Sequence, residues 1–213
     1  MLGIIRVLTT EDENVLLEHG KKMYEYAGVQ SITHCIRNQP NGIYDEKSEQ
    51  EANPKIIQLA RWMEERLKVD AITISCAADP AIEECRRAVN IPVLGAGTCG
   101  AHSACMVGSK VGVIGITEEP PGQILKELGG HYHSYAFSEN LRKTTDLLED
   151  GAKGELMNVA QGLIDSGADV ILFACTGFST IRLKDHFRQH LTVPVVDLVE
   201  AQAIAYQLLG QGG

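Results

Sequence analysis

Two apolar stretches of this chain repeat one another and end on the same residue type: Asp70-Ala-Ile-Thr-Ile-Ser-Cys76 and Asp169-Val-Ile-Leu-Phe-Ala-Cys175. Aspartate and cysteine are equally spaced in both copies, and each copy is followed by a similar Pro-containing run, Ile91-Pro92-Val93 and Val193-Pro194-Val195. Near-continuous runs of branched apolar residues are what a strand buried on both faces of a parallel sheet requires. The duplication therefore restricts the chain to two similar halves. It also delivers one thiol to the equivalent place in each.

The repeat extends outward from the cysteines. Gly3-Ile-Ile-Arg-Val-Leu8 is matched by Gly112-Val-Ile-Gly-Ile116, each followed by a threonine, Thr9 and Thr117, and then by acidic residues. Shorter second strands are expected at 28–33 and 131–137. Amphipathic helices at 54–67 and 154–166 lead into the cysteine strands, and further helices at about 80–89 and 180–189 follow them. Strands that alternate with helical patterns form a parallel sheet. The expected fold class is α/β: two pseudo-symmetric half-domains, each a roughly four-stranded parallel sheet flanked by helices, with the active site in the cleft between them. A last helix over 200–209 is expected to pack back on the first half. The expected boundaries are thus 1–96 plus 198–213 for the half-domain holding Cys76, and 97–197 for the one holding Cys175. The longest irregular stretch, 37–53, is expected to be an active-site loop.

Charge and cysteine usage narrow the function. The formal net charge of −9 lacks the Lys/Arg footprint of a nucleic-acid binder, so a small-molecule partner is expected. No run approaches the roughly 20 apolar residues that a membrane span needs, and Met1-Leu2-Gly3-Ile4-Ile5-Arg6 has no basic lead. A cytoplasmic protein without membrane contact is expected. The six cysteines contain no C-x-x-C pair and are sparse for a disulfide scaffold, which points to reduced thiols.

In open parallel sheets the ligand crevice lies at the carboxyl ends of the strands, where Cys76 and Cys175 are expected. A thiolate can remove a proton from a carbon beside a carbonyl, and a thiol on the other face can return one. With each sulfur about 3–3.5 Å from the reacting carbon, the pair has to stand about 7 Å apart. Pseudo-symmetric strand ends facing one cleft can supply this geometry. An ordinary buried cysteine is the bland account of either thiol alone; the matched pair favours chemistry.

These residues resemble the aspartate/glutamate/hydantoin racemase superfamily over nearly the whole chain. Cys76-Ala-Ala-Asp79-Pro80 is similar to the C-x-x-D-P motif at the first cysteine of the hydantoin and allantoin branch. Cys175-Thr176-Gly177-Phe178 is similar to that branch's second motif. The resemblance implies two α/β halves, a catalytic cysteine in each, no cofactor, and a homo-oligomer. Amino-acid racemases of the superfamily usually carry Cys-Asn-Thr at the first cysteine and Cys-Thr-His or Cys-Thr-Glu at the second. Ala77, Ala78 and Gly177 stand here instead, which shifts the expected substrate toward a 5-substituted hydantoin or allantoin. The hydantoin branch usually has Asn-Pro-Asn-Thr after its first strand, whereas this chain has Val7-Leu8-Thr9-Thr10. An aspartate or glutamate racemase is the alternative enzyme, and a non-catalytic small-molecule binder on the same fold is the alternative of another class.

The other candidate residues follow from local chemistry. Backbone N–H groups at Ala77, Thr176 and Gly177 are expected to face a carbonyl or enolate oxygen. Thr9 and Thr117 are expected as polar substrate contacts, and Ile43 with Tyr44 as pocket residues on the long loop. Arg6 can neutralise an acidic ligand or sit in a buried ion pair. Asp79 is expected to cap a helix starting at Pro80. Gly95-Ala-Gly97-Thr-Cys-Gly100 spells G-x-G-x-x-G, but it follows a fourth strand rather than a first, so it reads as the crossing between halves, with Thr98 and Cys99 lining the cleft. His186 and His190 have the spacing of a zinc pair without the glutamate of H-E-x-x-H, and His131 and His133 share a strand face without a third ligand, so no metal is expected. Cys85 and Cys105 read as core filling, and no lysine lies in a pyridoxal phosphate context.

Overall fold

The computed structural model describes residues 1–210; the last three residues of the expected amino-terminal half-domain lie outside that range. The chain runs β1 (Leu2–Arg6), α1 (Glu13–Ala27), β2 (Ser31–Cys35), α2 (Glu46–Trp62), β3 (Ala71–Ser75), α3 (Ile82–Ala88) and β4 (Val93–Gly95). After α4 (Ala96–Val107) the same order recurs with β5 (Val111–Gly115), α5 (Gly122–Leu128), β6 (Tyr132–Phe137), α6 (Ala152–Asp165) and β7 (Val170–Phe173). Two short helices, α7 (Gly177–Thr180) and α8 (Leu183–Phe187), lead to β8 (Val195–Val196) and α9 (Leu198–Gln207). The strands form two four-stranded sheets, β2-β1-β3-β4 and β6-β5-β7-β8, and every pairing is parallel. The duplicated sequence is a duplicated topology.

The repeated aspartates set the register of the central strands. Asp70 donates its N–H to Met1 O at 3.2 Å, and Asp169 donates to Lys110 O at 3.0 Å, so each ties the entry of β3 or β7 to the entry of its neighbour. Their carboxylates complete the clasp. Asp70 receives the terminal amino group and the Tyr206 hydroxyl, and Asp169 receives the N–H groups of Ser109 and Lys110. Central strands β1, β3, β5 and β7 are buried throughout, as their unbroken apolar sequences require.

The two halves exchange a helix. Ala101 and Ala104 of α4, which follows the first sheet, belong to the core of the second sheet with Val113, Leu172 and Leu198. Conversely, Val199 and Ala203 of α9 pack with Leu2, Ile4 and Met23 of the first half. The final helix thus packs on the first half through Val199 and Ala203 and on the second through Leu198.

Helix α2 corrects the expected loop. It begins at Glu46, eight residues before Pro54, so only its front remains irregular and Pro54 lies inside the helix. An Asp45/Ser48 capping box starts it: the Asp45 carboxylate accepts the Ser48 N–H at 2.7 Å, and the Ser48 hydroxyl accepts the Asp45 N–H at 3.0 Å. The first turns carry a polar sequence and bury only Ser48 and Ala52, which is why hydrophobic periodicity did not reveal them. A π turn over Met63–Leu67 continues α2 toward β3. No helix among the described residues is long and apolar enough to cross a membrane.

Candidate active site

The carboxyl ends of β1, β3, β5 and β7 open on a cavity of about 710 Å³ lined from both halves. Cys76 immediately follows β3, and Cys175 lies just beyond β7; both line the cavity. From the first half come Val7 and Leu8, the Gly42–Tyr44 stretch, and the first turn of α2 with Asp45, Glu46 and Glu49. The second half contributes the segment after β5, Ile116 to Glu119, and Arg142, Lys143 and Thr144.

The two thiols are alike in position and unequal in surroundings. Burial pushes Cys175 up to about 11, against the N–H groups of Gly177 and Phe178, the Thr144 hydroxyl and the Arg6 charge, all of which favour its thiolate. Burial pushes Cys76 up to about 12, where the Ala78 N–H is the main support and the Asp79 and Glu49 charges oppose ionisation. A charge on Cys175 also opposes ionisation of Cys76. When one proton is lost, Cys175 is the better holder of the negative charge.

Arg6 lines the cavity and, among the described residues, has no buried ion-pair partner. Its side chain is 2 % exposed, and Nη1 donates to the carbonyls of Val15 at 2.6 Å and Leu16 at 3.3 Å in α1. Burial lowers it only to about 10, so it remains a cation at neutral pH and supplies a fixed positive field beside Cys175. Its donors are partly spent on carbonyls rather than on a carboxylate.

The remaining expected site residues divide. Ile43, Ala77, Thr117 and Thr176 line the cavity. The Thr117 hydroxyl is committed to Glu119 O at 2.7 Å and that of Thr176 to Ser75 O at 3.2 Å. Gly177 is not among the residues lining the cavity; its N–H favours the Cys175 thiolate, and an added Cβ at Gly177 would meet the Cys175 sulfur at 3.3 Å. Thr9 is outside the cavity wall: its hydroxyl donates to Ile36 O at 2.6 Å and accepts the Gln39 N–H at 2.8 Å, fastening the loop after β2. The strand repeat pairs Thr117 with Leu8, not with Thr9, and Leu8 does line the cavity. Neither Thr98 nor Cys99 reaches it.

Thr98 is instead part of a cap. Asp79 lies in the left-handed region with φ +51° and places its carboxylate at the start of α4, accepting the N–H of Gly97 at 2.7 Å, the N–H of Thr98 at 2.8 Å and the Thr98 hydroxyl at 2.7 Å. The cap expected at Pro80 thus serves a different helix, and α3 starts at Ile82 without a side-chain cap. The glycines of the G-x-G-x-x-G run make room for this packing. A Cβ at Gly95 would meet the Asp79 carboxylate at 2.4 Å, one at Gly97 the Ala77 carbonyl oxygen at 2.2 Å, and one at Gly100 Leu198 at 2.2 Å. The helix N-terminus where a dinucleotide phosphate would bind is filled by the chain's own carboxylate.

Several cavity residues escaped the sequence. Leu8 was recoverable from the repeat read in register, and Glu49 from the Asp45-x-x-Ser48 helix start. Thr144 begins a 3-10 turn in an irregular segment and carries no local signal. Behind the cavity wall, His19 of α1 carries none either, its partners being distant in sequence. Among the described residues no group of three His, Cys, Asp or Glu side chains could hold a metal; the His186 and His190 rings pack edge to face at 5.1 Å.

Fold and cavity define a pseudo-symmetric α/β enzyme with one strand-end thiol from each half. The family model for Asp/Glu/hydantoin racemases matches residues 14–205, so the chain belongs to that family and is an isomerase of the racemase type. A curated hydantoin racemase from Pseudomonas sp. (strain NS671) is 26% identical over 192 residues, covering 87% of this chain and 76% of the relative. Allantoin racemase from Klebsiella pneumoniae superposes with a TM-score of 0.82 at 22% identity, covering 98% of this chain and 86% of that one. Allantoin racemase from Pseudomonas fluorescens gives 0.84 at 19% identity, covering 98% and 89%.

Proposed function

We propose that this racemase is cofactor-independent and inverts a carbon acid beside a ring carbonyl, in a 5-substituted hydantoin or allantoin, with Cys76 and Cys175 as its two bases. The observation that carries the reading is the meeting of both strand-end thiols on one cavity. In one direction the Cys175 thiolate takes the proton from the stereocentre, the C–H electron pair passes into the enolate, and the Cys76 thiol protonates the opposite face. The products are the inverted substrate, a Cys175 thiol and a Cys76 thiolate, and the reverse direction restores the start. The unequal surroundings of the sulfurs support Cys175 as the thiol that gives up its proton first.

The cavity wall supports a cyclic amide over an acidic amino acid. It presents five carboxylates, Asp45, Glu46, Glu49, Glu118 and Glu119, against Arg6, Arg142 and Lys143. Arg142 is paired with Glu118 at 2.8 Å, and Arg6 is bound to backbone carbonyls. A substrate carboxylate would enter a predominantly negative wall with two of its three cations already engaged, whereas a ring amide needs no counter-ion. The hydantoin and allantoin racemases similar to this chain support the same choice.

The test is single-enantiomer substrate in deuterium oxide, followed by optical rotation and by deuterium at the stereocentre. Inversion with deuterium incorporation for a hydantoin or allantoin, lost in both Cys76→Ser and Cys175→Ser, is the expected result. Silence across a panel of hydantoins and acidic amino acids would leave only a binding protein, and normal inversion by either variant would overturn the two-base assignment.

A further inference from the structure

We infer that His19 is a positioning residue that holds the two thiol-bearing turns at a fixed separation across the cavity. The inference rests on the two-cysteine reading above. His19 lies on α1 of the first half, is 0 % exposed, and touches both cysteine segments. Its Nδ1 is 2.8 Å from the hydroxyl of Ser75, the residue immediately before Cys76. Its Nε2 is 3.1 Å from the carbonyl oxygen of Thr176, the residue immediately after Cys175, and 3.2 Å from the Thr180 hydroxyl.

These partners select one state of the ring. A carbonyl oxygen can only accept, so Nε2 carries the hydrogen, and the Ser75 hydroxyl gives its one hydrogen to Nδ1 at 2.8 Å ahead of Gln202 Oε1 at 3.3 Å. Burial and the neighbouring Arg6 charge hold the imidazole neutral, well below its ordinary value. A second bond closes the bracket, because the Thr176 hydroxyl donates to Ser75 O at 3.2 Å. The segments flanking Cys76 and Cys175 are therefore joined to each other directly and again through one imidazole. The same helix is anchored to the second half beside it: Glu18 and Glu25 pair with Arg182 at 3.1 and 2.6 Å.

Inversion demands more of this spacing than proton exchange does. One thiolate suffices to remove a proton and return a solvent-derived one to the same face, whereas inversion needs a second thiol within reach of the opposite face. Loosening the bracket therefore lowers inversion more than exchange, and deuterium begins to enter with retention of configuration. Simple loss of folded protein lowers both together.

The experiment measures inversion and deuterium incorporation, each as kcat and KM, for the wild-type chain and for His19→Ala, His19→Gln and Ser75→Ala. His19→Ala is expected to lose about 10- to 100-fold in kcat for inversion, with KM little changed and the ratio of retention exchange to inversion raised at least several-fold. His19→Gln, which can restore an N–H toward Thr176, is expected to recover part of that ratio. Ser75→Ala leaves the ring in place and is expected to shift the ratio in the same direction, so the answer does not depend on His19→Ala folding. A wild-type ratio in folded His19→Ala, or in Ser75→Ala where His19→Ala does not fold, would overturn the inference while the racemase reading stood. A wild-type chain that neither inverts nor exchanges would overturn both.

Discussion

Replacing Gly97 by alanine separates the placement of Cys76 from the stability of the chain. A Cβ at Gly97 would stand 2.2 Å from the Ala77 carbonyl oxygen, against a non-bonded contact near 3.5 Å, so about 1 Å of movement is required. The obstacle is backbone, and it belongs to the residue directly after Cys76. On the other side, α4 is held by its cap on Asp79, so the Cys76 turn and the helix must part at the expense of those hydrogen bonds. Overpacking of this kind costs about 1–3 kcal/mol, a fall of about 3–10 °C in Tm for a chain of this size. A 1 Å displacement of a reacting group costs about 100-fold in kcat. The control is Gly154→Ala on the exposed surface of α6, where nothing lies within 4 Å and the helix gains about 0.5–1 kcal/mol. Thermal unfolding and steady-state racemisation of both single variants and the double variant provide the assay. The double variant should recover part of the Tm and none of the kcat. Recovery of both together, or a Gly97→Ala chain with wild-type kcat, would refute the account of the turn.

Further outcomes follow from the buried charges and thiols. Iodoacetamide should alkylate Cys175 ahead of Cys76, with rates rising about tenfold per pH unit from about pH 7 to 10, because burial keeps both thiols protonated; a rate that levels off below about pH 9 contradicts this. Lys22 lies 3.4 Å from Asp197 and 3.5 Å from Glu200 in a nearly closed site, so Lys22→Ala should cost about 3–5 kcal/mol, read as a Tm fall of about 10 °C. An unchanged Tm would show that the pair is solvated. Below about pH 6.5 the unfolded chain protonates His19 while the folded chain excludes that proton, so stability should fall by up to about 1.4 kcal/mol per pH unit. His19→Gln should remove that component, and parallel stability curves for the two proteins from about pH 6.5 to 5 would refute it.

The features legible in the sequence were local or repeated. The strands and both cysteines were legible because each half spells out the same apolar run with the same aspartate at its entry, and burial on both faces leaves little latitude in composition. Residues whose meaning depends on a remote partner were misplaced. Asp79 has the composition of a local cap, yet its acceptors meet N–H groups at Gly97 and Thr98. Thr9 looked equivalent to Thr117, but it stands one residue further beyond its strand, and its hydroxyl turns toward Ile36. His19 carries no local mark, since its meaning resides in Ser75 and Thr176 on other elements.

The exchanged helices have a consequence for how the chain comes into being. Synthesis delivers β1, α1 and β3 early, but the apolar face formed by Leu2, Ile4, Met23 and Ala71 is covered by Val199 and Ala203 of α9. The half that is made first is therefore the half that is finished last. Until α9 leaves the ribosome a nascent chain exposes this face, and a chain cut before Leu198 would hold both cysteines with its first sheet open on one side.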